Sequence, residues 1–182
     1  MENSVWIAFF SQTGSEIANL AKSLNRWPDR IITNDRPDHL RTIDPRIEEK
    51  GYFTLSNKPT LEEYNDLLLY FPEALITLHG WLRVVPPEIC KSHSIYNGHP
   101  GLITDYPELK GKDPQMKAFK AKHDVMGCVL HKVTAGVDEG AIISKEFWNA
   151  WNITEEDMWN TFKGRQEYLW INFLKPLFYE AK

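Results

Sequence analysis

Only two cysteines, Cys90 and Cys128, occur in 182 residues. Two thiols cannot build a disulfide framework, although one bridge stays open. Basic residues are also sparse, with 21 Lys and Arg against 25 Asp and Glu, a net charge of -4 and an isoelectric point near 5.9. A chain with that balance does not carry a broad basic surface, so no nucleic-acid partner is expected, while a small anion at a local site stays open. No stretch approaches the ~20 apolar residues of a membrane-crossing helix. The opening MENSVWIAFFSQTGSE has neither a basic leader nor a small-residue cleavage pattern. The expectation is a soluble, cytoplasmic protein with no membrane partner. Internal repeats and low-complexity tracts are missing as well.

What the chain does have is bulk for a core. Hydrophobic residues make up 42%, charged residues 25%, and there are seven Trp. Such a composition folds, and the length suits a single domain over residues 1–182.

Apolar periodicity divides the first half into alternating strands and helices. Val5 to Phe10 is a continuous apolar run, Ser11 to Glu16 a turn, and Ile17, Leu20, Ala21 and Leu24 fall at helical spacing. Arg30 to Thr33 reads as a strand, and Asn34 to Lys50 as a long polar loop with helical pieces. Thr60-Leu61-Glu62-Glu63 is a capping box opening a helix to Tyr70. Strands follow at Ala74 to Leu78 and Ser94 to Asn97, with a helical turn at Pro86 and Pro87. Later come a helix from Gln115 to Lys122, strands at Cys128 to Val133 and Ala141 to Phe147, and a helix from Thr154 towards Tyr179 with a break at Pro176. The pattern predicts an α/β fold: a mostly parallel central sheet with helices on both faces and a small antiparallel addition.

In such sheets ligands sit outside the carboxyl ends of the strands. Gln12 to Glu16, Gly80 to Val85, and Asn97 to His99 all fall there. Asn97-Gly98 is also the strongest short hairpin signal, but residues two apart on a strand share a face, and Pro100 discourages a hairpin continuation. We therefore read Asn97 and His99 as a pair aimed beyond the strand end. Cys90-x-x-His93 and Cys128-x-x-His131 raise a zinc site, yet they lack finger spacing and Cys128 and His131 have opposite parity on one strand. No metal site is assigned.

Read together, Ile95-Tyr96-Asn97-Gly98-His99-Pro100-Gly101-Leu102, Tyr106-Pro107-Glu108-Leu109-Lys110-Gly111, the run Gly127 to Thr134 and Val137-Asp138-Glu139-Gly140 resemble the signature series of the folate-dependent formyltransferases. The closest branch is the one that acts on glycinamide ribonucleotide in purine biosynthesis. The resemblance implies a Rossmann-like formyltransferase fold and transfer of a formyl group from 10-formyltetrahydrofolate to a primary amine. It implies Asn97 and His99 as donors to the oxyanion, with Asp138 supporting His99 and passing a proton. It implies that main-chain groups of Leu82, Arg83, Val84 and Val85, and of Val133, Thr134, Ala135, Gly136 and Val137, read the pterin, with His131 beside them.

On the acceptor side, the resemblance implies a turn at Thr13, Gly14, Ser15 and Glu16 that binds a phosphate, and Glu167 on the last helix as a contact to ribose hydroxyls. Relatives carry Asn where this chain has Glu16, and a carboxylate repels a phosphate. From the residues alone, Glu16 fits a helix cap. An amino-sugar nucleotide or a modified nucleotide amine therefore stands beside glycinamide ribonucleotide as acceptor. Further expectations are a monomer or homodimer, no extra C-terminal domain, and an acceptor-pocket or subunit-contact role for Phe147, Trp148 and Trp151. A non-catalytic folate-binding relative is the remaining alternative.

Overall fold

In the computed structural model, which describes residues 5–36 and 42–179, seven strands form one sheet in the order β3-β2-β1-β4-β5-β6-β7. The strands are β1 (Trp6–Phe10), β2 (Arg30–Asn34), β3 (Phe53–Leu55), β4 (Leu75–His79), β5 (Ser94–His99), β6 (Val125–Lys132) and β7 (Ile142–Asn149). The first five run parallel, and β6 and β7 are antiparallel. This is the predicted α/β architecture with its antiparallel addition.

All five residues of β1 are buried. That burial explains the unbroken apolar run, because both faces of a central parallel strand are covered. Trp6, Ala8 and Phe10 pack under α1 (Ser15–Leu24) and α6 (Glu155–Tyr179), while Ile7 and Phe9 meet α3 (Leu61–Leu68) and α4 (Pro87–Ser92) on the other face. A third cluster joins β6 to α5 (Pro114–Lys120) and α6 through Val129, Ala118 and Phe162. The fold thereby gathers the carboxyl ends of β1, β4 and β5 along one edge.

The Thr60 capping box forms, with Glu63 N on Thr60 Oγ1 at 3.3 Å and Thr60 N on Glu63 Oε2 at 2.8 Å. Its helix stops at Leu68 rather than Tyr70. Within the segment read as a loop lie α2 (Pro45–Lys50) and, just beyond it, the unexpected β3. β3 spans three residues with Phe53 exposed, so it shows no burial pattern to read. Residues 37–41 of that segment lie outside the described residues. β6 and β7 are longer than expected, and α6 continues through Pro176 without a break.

The Asn-Gly hairpin does not form. β5 runs straight through Asn97 and Gly98 to His99, and its antiparallel partner β6 returns only after α5, pairing Asn97 with His131 and Gly98 with Leu130. Sheet pairing has overridden the local turn preference.

Candidate functional site

At the end of β5, Asn97 and His99 are joined by His131 and Asp138. Asn97 Nδ2 lies 3.2 Å from His131 Nε2 across the β5–β6 ladder. His131 Nδ1 donates to the Lys132 carbonyl at 2.9 Å, so its Nε2 accepts from Asn97 in the neutral ring and donates to Asp138 in the imidazolium. His99 Nε2 lies 2.8 Å from the Leu109 carbonyl. A carbonyl only accepts, so Nε2 carries a proton and Nδ1 is a donor only in the imidazolium.

Asp138 sits in the loop between β6 and β7 at φ 51, a backbone region that Asp tolerates better than most residues. Its Oδ2 is 3.3 Å from His99 Nδ1 and accepts the Gly111 amide at 2.8 Å, while its Oδ1 is 3.3 Å from His131 Nε2. One carboxylate thus ties together three chain segments. His99 and His131 are almost fully covered, at 4% and 2% exposure.

The charges of the site are coupled. Burial pushes the His99 pKa down, the Asp138 charge and the Leu109 carbonyl pull it back, and the result stays below the ordinary 6.5. Burial pushes Asp138 up, but the His131 hydrogen bond, the His99 charge and the Gly111 amide outweigh it and hold the carboxyl below 3.8. Asp138 is therefore an anion beside a histidine that burial keeps from charging easily.

The segment Leu82 to Val85 follows β4 and is anchored from two sides. Ser11 Oγ accepts the Leu82 amide at 2.9 Å and donates to Asn34 Oδ1 at 2.6 Å. Arg83 binds the Asn57 carbonyl through Nε and Asn57 Oδ1 through Nη2 at 2.6 Å, so its side chain is a strut rather than a free surface charge. Val85 belongs to the core, whereas Leu82, Val84 and Val137 are exposed apolar side chains. Such apolar groups suit an aromatic ring system. Val133 is held by Ile95, its amide donating to the Ile95 carbonyl at 2.8 Å, and opens the loop Thr134, Ala135, Gly136 and Val137 that leads to Asp138.

At the other end of the strand edge, Gly14 is the N-cap of α1 in the left-handed conformation, φ 75, with no side-chain cap. Thr13 Oγ1 accepts the Ser15 amide at 3.2 Å. Glu16 is not the cap expected from the sequence: with Gly14 as N-cap it stands one position short of the capping-box site. Its Oε2 instead meets His79 Nδ1 at 2.7 Å. Glu167 is bound by Ser23 Oγ at 2.8 Å, eight residues along α1 from Ser15, or about 12 Å of helix rise. Its neighbour Gln166 reaches the strand instead, donating to the Gly98 carbonyl at 3.1 Å.

Gln166, Trp170, His79, Leu109 and Gly111 are contacts that the sequence reading missed. Gln166 and Trp170 share a helix face with buried Phe162, a spacing that could have flagged the first two. The other three are partners chosen by tertiary geometry. Trp148 packs edge-on against Phe162 at 4.7 Å, while Phe147 and Trp151 are exposed. Cys90 and Cys128 lie free in different core clusters, and burial pushes the Cys128 thiol up to about 12, the opposite of a metal-binding thiolate. Among the described residues, no group of three or more His, Cys, Asp or Glu is placed to hold a metal ion.

This fold and site define a class, and residues 30–169 match the model of the formyl transferase family. The chain belongs to that family. It is 38% identical over 71 residues to the trifunctional purine biosynthetic protein adenosine-3 of Drosophila melanogaster, an alignment covering 38% of this chain and 5% of that protein. The match thus spans well under a tenth of that relative. Among solved structures, phosphoribosylglycinamide formyltransferase from Bacillus halodurans superposes with a TM-score of 0.80 at 21% identity, covering 97% of this chain and 96% of the other. The corresponding enzyme from Anaplasma phagocytophilum gives 0.80 at 23% identity, covering 96% and 86%. Among the described residues, no helix is long and apolar enough to cross a membrane.

Proposed function

We propose that this chain transfers a formyl group from 10-formyltetrahydrofolate to the primary amine of a small acceptor, glycinamide ribonucleotide or a related nucleotide-like amine. The observation that carries the reading is the convergence of Asn97, His99, His131 and Asp138 at the end of β5. The amine nitrogen attacks the formyl carbon and its carbonyl oxygen becomes an oxyanion. Asn97 Nδ2 and the His99 imidazolium donate to that oxygen. For this, His99 Nδ1 must exchange Asp138 for the substrate, which frees the carboxylate to take a proton from the amine and return it to the departing folate nitrogen. The new N–C bond remains and the old C–N bond breaks.

Leu82, Val84 and Val137 supply apolar walls for the pterin, and the main chain of Leu82 to Val85 and Val133 to Val137 its polar recognition. Two anchors, Ser11 and Asn57, hold the first segment for that purpose. The test follows folate-product absorbance with 10-formyltetrahydrofolate and a panel of primary amines. His99→Ala is expected to lower turnover about 10²–10³-fold. No turnover with any amine, or turnover indifferent to His99, would sink the reading.

A further inference from the structure

A basic stretch of this acidic chain lies against the site. Residues 110–123 hold five lysines, Lys110, Lys112, Lys117, Lys120 and Lys122, and a single carboxylate, Asp113, whereas the whole chain carries a net charge of -4. Among the described residues, none of the five lysines has a carboxylate within 4 Å. Lys145 of β7 and Arg165 of α6, by contrast, are held by Asp105 at 3.4 Å and by Glu146 at 3.0 Å. Like charges three or four places apart on a helix repel, as Lys117 and Lys120 do on α5, so the chain bears this grouping with no counter-charge of its own in contact.

The stretch begins on the segment that holds the reacting pair. The Leu109 carbonyl meets His99 Nε2 and the Gly111 amide meets Asp138 Oδ2, each at 2.8 Å, so Lys110 lies between the two contacts. From α5, Lys117 turns back onto this segment and its Nζ donates to the Lys110 carbonyl at 3.4 Å. An ammonium has three hydrogens, so Lys117 keeps donors for a ligand while that bond fixes its place. Lys110 is half-buried, and Lys112 and Lys117 are exposed. Burial does most to hold the His99 pKa down, and the Lys117 charge adds to it, which puts this ammonium within electrostatic reach of the ring. An anion seated on Lys117 offsets that opposition and favours the imidazolium that donates to the oxyanion.

We propose that Lys110, Lys112 and Lys117 form an anion subsite on the α5 side of the reacting centre, which takes a phosphate or carboxylate carried by a substrate. Lysine suits the task, because its ammonium is a compact charge whose donors turn to meet an oxyanion from several directions. That chemistry has two sources: the phosphate of a nucleotide-like amine and the glutamate of the folate donor. The proposal takes its substrates from the formyl-transfer reading, so its test begins with a probe that needs no reaction. Inorganic pyrophosphate is titrated into the protein by calorimetry. Lys112→Ala and Lys117→Ala are each expected to weaken its binding about fivefold. Lys91→Ala, which removes an exposed lysine of α4, should leave it unchanged.

Two substrate pairs then separate the sources: glycinamide ribonucleotide against its riboside, and 10-formyltetrahydrofolate against 10-formyltetrahydropteroate, which lacks the glutamate. In the double variant Lys112→Ala/Lys117→Ala, KM is expected to rise about tenfold or more for the charged member of at least one pair, and to hold for its counterpart without that group. Calorimetric titration of the same four compounds reads the selection without turnover. Lysine-dependent binding with no formyl transfer therefore supports the subsite and counts against the formyl-transfer reading alone. Pyrophosphate binding indifferent to the lysines, or a double variant that shifts neither pair, overturns the proposal.

Discussion

Asp138 Oδ2 lies 3.3 Å from His99 Nδ1, and the same oxygen accepts the Gly111 amide at 2.8 Å. The carboxylate is the counter-charge that makes an imidazolium tolerable in a buried place. Asp138→Asn removes that charge but suits the positive φ, so the loop should keep its shape. We expect the His99 titration midpoint, followed by NMR of the ring carbon, to fall further below 6.5. Turnover should drop about 10²–10⁴-fold if Asp138 moves the proton. A midpoint that rises or stays in place would break the proposed coupling.

The same shift makes stability depend on pH. The folded His99 binds its proton below 6.5, the value of the free ring, so between the two values the unfolded chain holds a proton that the folded chain does not. Stability is therefore full above pH 6.5 and declines as the pH falls through 6.5 towards the folded pKa. His93, lowered chiefly by burial, adds to the same window, and Asp138 adds a second decline below 3.8. Urea unfolding from pH 7.5 down to 5 should show the slope, and His99→Gln should reduce it. An equal slope in the variant would remove His99 as its source.

Much of the site was visible in the chain because its parts are local. Asn97 and His99 are two residues apart on one strand, and the strand-end rule located them before any partner was known. The Thr60 box was legible for the same reason, since both its members lie within one turn. What stayed hidden was long-range and polar. Glu16 finds His79 across 63 positions, and Gln166 finds Gly98 across 68, distances at which one sequence carries no pairing signal. Glu16 also looked like a cap because Gly14, with no side chain and a left-handed backbone, shifts the helix start by one residue.

Gly98 answers to α6. A Cβ at that position would stand 2.7 Å from Gln166 Nε2 and 2.8 Å from Trp170 Nε1, both closer than real Cβ contacts. Trp170 is fully buried and cannot retreat cheaply. Gly98→Ala should therefore cost about 1–3 kcal/mol of stability, measured by urea unfolding. Within the site, the missing side chain makes room for the helix behind the strand. A neutral Gly98→Ala would place the tight contact elsewhere.

Ser11 connects core to folate segment through a single hydroxyl. It donates to Asn34 Oδ1 at 2.6 Å and accepts the Leu82 amide at 2.9 Å, so Ser11→Ala leaves both groups without that partner. The Asn34 side of the loss is buried, and an unmade buried bond costs about 1–3 kcal/mol. The Leu82 side is half open to water, and its loss appears as freedom of the Leu82 to Val85 segment. Recognition of the pterin by that main chain should weaken before chemistry does, because Asn97, His99 and Asp138 stand on other elements. The expected result is a several-fold rise in the KM for 10-formyltetrahydrofolate with a smaller change in kcat. A drop confined to kcat would mean that the segment orders the reacting groups and not the folate.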